Sequence, residues 1–146
     1  MAGRVSGPVA GADPAGSHFQ LYRASATSPV RWRLLGGNHR SIGRSPLDFP
    51  DVADCLRSLA ELVERLPELQ GQTSRVPGNL WVWRLSYQGA EVAVAAHTYD
   101  RQIRSMHAQA QFLQRASVAR IDELVMVSAT RRWRSLPGPG RREPVR

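Results

Sequence analysis

The four histidines and the one cysteine are the residues of this 146-residue chain that could bind a metal or act as a strong nucleophile. The histidines are His18, His39, His97 and His107, and none of them forms a close pair at metal-ligand spacing. Cys55 lies on the apolar stripe of a predicted helix, a position more typical of a small buried thiol than of a nucleophile. The sequence contains no nucleophile motif, phosphate-binding glycine loop or metalloprotease helix. We therefore expect no metal, no cofactor and no enzymatic activity.

Two nearby carboxylates, Asp48 and Asp51, could in principle perform acid and base catalysis. Both precede a predicted helix, and acids are favoured there by the positive end of the helix dipole. Helix capping is therefore sufficient to explain them.

Arginine provides the remaining candidate chemistry, because all 20 basic residues of the chain are arginines. The segment 31–34 reads Arg-Trp-Arg-Leu, and the segment 82–85 repeats its Trp-Arg-Leu core 51 residues later. Side chains alternate between the two faces of a strand, so the tryptophans and leucines share one face and the arginines the other. With Tyr22 from a neighbouring strand, the predicted face carries Tyr22, Arg31, Arg33 and Arg84.

Three interpretations of this surface remain open. Arginines on one face of an antiparallel sheet are commonly just solvated. Arginines with an aromatic ring on a sheet can also bind single-stranded nucleic acid through stacking and phosphate contacts. Trp81 offers a third interpretation, since an exposed tryptophan at the start of its strand would favour a protein partner or self-association.

The net charge of +8 is concentrated near the end of the chain. Residues 131–146 contain six arginines and one glutamate, whereas residues 18–130 contain 13 arginines and ten acidic residues. We predict a disordered leader at residues 1–17, a first repeat at 18–76, a second repeat at 77–130 and a basic disordered tail at 131–146.

Hydrophobic periodicity predicts an α+β fold built from two tandem β-β-β-α repeats. The first helix has an apolar stripe from Val52 to Leu66 and is ended by Pro67. The second follows Asp100, which we expect to be its N-cap. Strands are expected at about residues 18–23, 31–34, 40–45, 80–85, 91–96 and 121–127, with a weaker one at 68–76.

The order of these motifs resembles the YegP-like family of small, uncharacterised bacterial proteins. The resemblance spans residues 19–127 and includes the Trp-Arg-Leu strand, the turn after it, the Ile or Val strand, the aromatic residue and the amphipathic helix. It implies two β-rich repeats sharing one antiparallel sheet, with both helices packed on one face, and it implies no known activity. The chain departs from the family pattern at Asn38-His39, where Asn-Gly is usual, and at Pro50, where a serine-like cap is usual.

The remaining expectations concern location and partners. One cysteine cannot form an intramolecular disulfide, and no apolar run approaches the ~20 residues that span a bilayer. We therefore expect a cytoplasmic protein that does not enter membranes and is a monomer or a weak dimer. The favoured function is a small non-enzymatic binding or interaction module of unknown ligand. The alternative is a weak nucleic-acid-binding protein that uses the arginine face and the basic tail.

Overall fold

The computed structural model describes residues 16–127, which form an α+β structure with seven strands, two α-helices and a short 3-10 helix, Leu66–Glu68. The strands are β1 (His18–Arg23), β2 (Arg31–Leu35), β3 (Ser41–Arg44), β4 (Gln70–Val76), β5 (Leu80–Tyr87), β6 (Ala90–Ala95) and β7 (Arg120–Val127). The helices are α1 (Val52–Glu64) and α2 (Gln102–Ala116), neither of which is long and apolar enough to cross a membrane. Most of the predicted leader and the whole predicted basic tail lie outside the described residues.

All seven strands form one sheet in the order β4-β5-β6-β3-β2-β1-β7. Neighbouring strands are antiparallel except β1 and β7, which are parallel. The prediction of an antiparallel sheet is therefore wrong, because the sheet is mixed. A strand that follows a tight hairpin runs antiparallel to its neighbour, whereas β7 follows α2 and is not constrained in this way. By pairing with β1, β7 covers a sheet edge that would otherwise expose unpaired backbone groups.

The order of three strands and a helix occurs twice, in residues 18–64, here called the first half, and in residues 70–116, the second half. The weak strand expected at residues 68–76 is β4, which opens the second half. The strand register slips by one residue at the same place in each half, after Leu34 pairs with Gly43 and after Leu85 pairs with Ala93. Each position of the first half therefore corresponds, through the strand register, to one position of the second half.

The core is centred on Trp32, Trp83 and Phe112, whose side chains are fully buried. The Phe112 ring lies 6.4 Å from the Trp32 ring and 4.9 Å from the Trp83 ring, measured between centroids. Both tryptophans therefore point to the side of the sheet on which α2 lies. Helix α1 adds buried residues to the same cluster, namely Cys55, Leu59 and Leu62. Both helices thus pack on the tryptophan face, and we call the opposite side the helix-free face.

The two helices begin differently. Asp51 is the N-cap of α1, and its carboxylate accepts a hydrogen bond from the backbone N–H of Asp54 at 2.8 Å. The prediction that Asp100 caps α2 is wrong, since the N-cap is Arg101 and no side chain completes the cap. The Oδ1 atom of Asp100 instead lies 3.5 Å from Nε of Arg104, one helical turn further on, and the two side chains form an ion pair.

We predict that Gly43→Ala lowers the free energy of unfolding by roughly 1–3 kcal/mol, as overpacking of a dense core does. A Cβ atom at Gly43 would lie 2.6 Å from the Phe112 ring and 2.9 Å from the Trp83 ring. Gly36→Ala is the matched control, because a Cβ there would lie 3.5 Å from the side-chain oxygen of Asn38, an ordinary contact distance. Equilibrium unfolding in urea measures both changes. Equal midpoints for the two variants would contradict the prediction.

We also predict that the Cys55 thiol is inert in the folded chain. Burial raises the pKa of Cys55 from 9.0 to about 12, and the thiolate is the reactive form. At pH 8 a shift of this size lowers the thiolate fraction by roughly two to three powers of ten. A disulfide reagent such as DTNB should therefore react far more slowly in buffer than in guanidinium chloride, with Cys55→Ser as the blank. Similar rates in the two solvents would show an accessible thiol.

The same shift gives a pH dependence of stability. The unfolded chain releases the thiol proton first, so the contribution of Cys55 to stability is complete below pH 9.0 and is lost as the pH rises toward about 12.

Candidate functional site

A row of side chains crosses the helix-free face at one level of the sheet. Arg33 pairs with Arg44, Arg44 pairs with Val94, and Val94 pairs with Arg84. Directly paired residues of antiparallel strands point to the same face, so these three arginines lie opposite the tryptophans. Arg33 and Arg84 are three strands apart, about 14 Å at the usual spacing of neighbouring strands. The predicted arginine face therefore exists, and the strands divide it into two groups.

The larger group surrounds Tyr22. Tyr22 pairs with Arg31 across β1 and β2, and the Arg33 guanidinium carbon lies 4.5 Å from the centroid of the Tyr22 ring. Arg31, Arg44 and Arg33 are all close enough to act electrostatically on the phenol. We call Tyr22, Arg31, Arg33 and Arg44 the Tyr22 cluster. It joins three strands that are neighbours in space, β1, β2 and β3.

The phenol of Tyr22 is held in its protonated form. Burial raises the pKa of Tyr22 above its usual value, and this effect outweighs the opposing effect of the three arginines. At neutral pH the cluster therefore combines a neutral hydroxyl, which is hydrogen-bonded to Arg31, with three permanently charged guanidinium groups.

The hydrogen bonds of the three arginines are of different kinds. Arg31 forms an ion pair with Asp48, which therefore pairs with the sheet and does not serve as the helix cap expected from the sequence. Arg33 donates its Nε–H to the side-chain oxygen of Gln20 at 2.8 Å, and Arg44 donates to the backbone carbonyl of Ser45 at 3.2 Å. Neither Gln20 nor the Ser45 carbonyl carries a charge, so these two bonds serve to orient the guanidinium groups.

The matching positions of the second half carry different chemistry. By strand register, Tyr22, Arg31 and Arg44 correspond to Ser74, Val82 and Val94, and only Arg33 has a matching arginine, Arg84. Arg84 is 14% exposed and donates to the Glu91 carboxylate at 2.5 Å. Of the four predicted site residues, Tyr22, Arg31 and Arg33 therefore come together. Arg84 lies apart from them and forms an ion pair with Glu91. Sequence reasoning missed Arg44.

Trp81 does not form the exposed apolar strip that would favour a protein partner. Its side chain is half-buried, and the Arg75 guanidinium carbon lies 5.4 Å from its ring centroid. Its backbone forms two hydrogen bonds with Tyr99, of 2.7 and 2.8 Å. These contacts give Trp81 a structural role beside the start of α2.

Within residues 16–127, no three side chains of the metal-binding types lie close enough to hold an ion. His97 illustrates this, since its Nε2 lies 2.8 Å from the backbone oxygen of Ser41, a hydrogen-bond contact. The described part of the chain thus offers arginine and tyrosine chemistry, which suits anion binding, and offers no metal centre.

No family model matches the sequence, and no curated protein matches it. Two solution NMR structures do have a similar fold. One is YegP from E. coli, a protein of unknown function. Its sequence is 14% identical to that of this chain, and the TM-score of the match is 0.59. The match covers 73% of this chain and 90% of YegP. The other is a UPF0339 protein from Shewanella oneidensis, whose sequence is 12% identical to that of this chain. Its TM-score is 0.63, and the match covers 75% of this chain and 92% of the Shewanella protein. At these identities the likeness concerns architecture alone, and the chain has the YegP-like fold that its sequence predicts.

Proposed function

We propose that this chain is a small, non-enzymatic binding module and that the Tyr22 cluster is its binding surface. The observation that carries the proposal is the convergence of three guanidinium groups around one protonated phenol. The fold itself does not require this arrangement, because the second half builds the same strands with Ser74, Val82 and Val94 at the matching positions. Positive charge gathered at one place on the sheet is suited to an anionic ligand.

We further propose that the chain is a tandem duplication whose two repeats have taken different roles. The repeated Trp-Arg-Leu strand and the matching register slips support the duplication. On this view the first repeat keeps the binding chemistry, while the second, in which Glu91 neutralises Arg84, mainly completes the sheet.

A second candidate function is weak binding of single-stranded nucleic acid. The contact that favours it is the Arg33 guanidinium over the Tyr22 ring, because a guanidinium plane and an aromatic ring are both surfaces on which bases stack. Arg44, which lies beside this pair, would then contact a phosphate, whereas Arg31 is already paired with Asp48. The six arginines of residues 131–146 would add affinity that does not depend on base sequence.

The nucleic-acid candidate predicts that Arg33→Gln and Arg44→Gln each weaken binding of a fluorescein-labelled single strand by roughly three- to tenfold at low salt. Each change removes one phosphate contact, so the slope of log K against log salt should fall by about 0.7. Fluorescence anisotropy at several salt concentrations measures both quantities. A duplex of the same sequence should bind more weakly, because its bases are stacked inside the helix.

Arg104→Gln is the control for these variants. It removes the same charge from an exposed position on α2, where Arg104 is 66% exposed. A chain shortened to end at Thr130 separates the contribution of the basic tail. Equal weakening by all three substitutions, or binding that disappears with the tail alone, would contradict a nucleic-acid site on the sheet.

We propose that the chain acts as a cytoplasmic monomer. Its single cysteine suits a reducing compartment. Both halves contribute to one seven-stranded sheet, and the outer strand β4 is largely polar, so no second copy is needed to complete the fold.

Sedimentation equilibrium should accordingly give a mass near the monomer value of 16.2 kDa at micromolar concentrations. Non-ideality from the net charge is reduced by working at moderate salt. A concentration-independent dimer mass would contradict the proposal.

A further inference from the structure

Arg33 is held in place by two contacts that leave the end of its side chain open. Its Nε–H donates to the side-chain oxygen of Gln20 at 2.8 Å, and its guanidinium carbon lies 4.5 Å from the centroid of the Tyr22 ring. No carboxylate of residues 16–127 forms an ion pair with it. Its two terminal amino groups, Nη1 and Nη2, thus have no anionic partner in the described part of the chain.

Arg84, the arginine at the matching position of the second half, does have such a partner. Its Nη1 donates to Oε2 of Glu91 at 2.5 Å. Glu91 pairs with Ser86 directly after the register slip of the second half. Ser41 pairs with Leu35 at the same point of the first half. The position that supplies a carboxylate in the second half therefore supplies only a hydroxyl in the first.

The acidic residues that lie nearest to Arg33 in the described sheet do not replace this carboxylate. Asp48 is already in an ion pair with another arginine of the cluster. Asp122 pairs with Gln20, so the whole of β1 separates Asp122 from Arg33, roughly 9–10 Å at the usual strand spacing. Arg33 is therefore a cation that is oriented in advance and whose anionic partner is not among residues 16–127.

We propose that the two terminal amino groups of Arg33 bind a carboxylate supplied by a ligand, much as Arg84 binds the carboxylate of Glu91. Such binding rests on the function proposed above, in which the Tyr22 cluster is the binding surface, and it makes the ligand a carboxylate. The two oxygens of a carboxylate lie in one plane at a spacing that matches the guanidinium fork, so two parallel hydrogen bonds can form. An acidic side chain of a peptide and a small carboxylic acid both supply this group.

The test follows the Nε–H signals of the arginines in two-dimensional heteronuclear NMR spectra of the full chain. N-acetylglutamate α-amide carries one carboxylate, and N-acetylglutamine α-amide has a neutral amide in its place. A short peptide with blocked ends and one central glutamate, and its glutamine counterpart, present the same two groups on a longer backbone. Inorganic phosphate is an anion of different shape.

We expect each glutamate probe to shift the Arg33 signal and to bind at least roughly tenfold more tightly than its glutamine counterpart. Tighter binding of the peptide than of the amino-acid amide identifies a peptide as the source of the carboxylate, and equal binding of the two identifies a small acid.

Equal binding of the glutamate and glutamine probes would overturn the proposal. Binding of phosphate without binding of either glutamate probe would also overturn it, while leaving the Tyr22 cluster as an anion-binding surface. If no anionic probe binds at millimolar concentration, the carboxylate is overturned and the binding surface itself is contradicted.

Three variants test the geometry of the contact. Arg33→Gln removes the fork and should weaken binding of the glutamate peptide at least roughly tenfold. Arg33→Lys keeps the charge on a single ammonium group and should weaken binding roughly fivefold or more. Arg104→Gln removes an exposed charge from α2 and should have no effect. Full binding by Arg33→Lys, or equal weakening by Arg104→Gln, would overturn the contact with two amino groups.

Glu91→Ser gives the second half the residue that the first half has at the matching position, and it should open a second carboxylate site. Gln72 pairs with Arg84 in the sheet. Gln20 pairs with Arg33 in the same way, so the two arginines have the same neighbour. The glutamate probes should then shift the Arg84 signal, which they leave unmoved in the unaltered chain. An unmoved Arg84 signal in a Glu91→Ser chain with a dispersed amide spectrum would overturn the proposal.

Discussion

The packing of Trp32 and Trp83 against a single ring, that of Phe112, determines how the rest of the molecule is arranged. Because side chains alternate along a strand, burying each tryptophan against α2 directs its neighbouring arginine to the opposite face. The indole nitrogen of Trp32 finds no hydrogen-bond partner in the described part of the chain, and the buried apolar contact is kept despite this cost. The chemistry of the helix-free face is thus a direct consequence of how the core is filled.

Sharing one ring between two tryptophans makes the halves unequal. Helix α2 provides Phe112 where α1 provides Leu62, and the strand beneath Phe112 contains Gly43 at the position that matches Ala93. The larger helix residue, Phe112, thus packs over the smaller strand residue, Gly43, where a Cβ atom would lie 2.6 Å from the Phe112 ring. Two halves with the same backbone can therefore differ in side-chain chemistry, both in the core and on the surface.

Much of this arrangement could be predicted from the sequence. Period-two alternation placed Tyr22, Arg31 and Arg33 on one face, and helical periodicity located both helices. Arg44 was missed because Ile42 was expected on the apolar face. Side chains alternate along a strand, so Arg44 was expected on that face too. The register slip in β3 instead pairs Arg44 with Arg33, on the opposite face. The Arg84–Glu91 pair depends on cross-strand register, and the direction of β7 depends on tertiary contacts, neither of which hydrophobic periodicity specifies.

The contact between the turn of one half and the helix of the other was not predicted, although the residues that match between the halves can be found in the sequence. Gly36 and Tyr87 are 51 residues apart, as are the two tryptophans, and Arg65 and Arg115 are 50 apart. What the sequence does not specify is that the turn of one half faces the helix of the other, because this follows from β3 and β6 meeting at the centre of the sheet. Positions that correspond between the two halves therefore fall into two groups, those that the fold needs and those that it does not. Residues present in both halves, such as the tryptophans, maintain the structure, and those that differ, such as Tyr22 and Arg44, are where a function specific to this chain can lie.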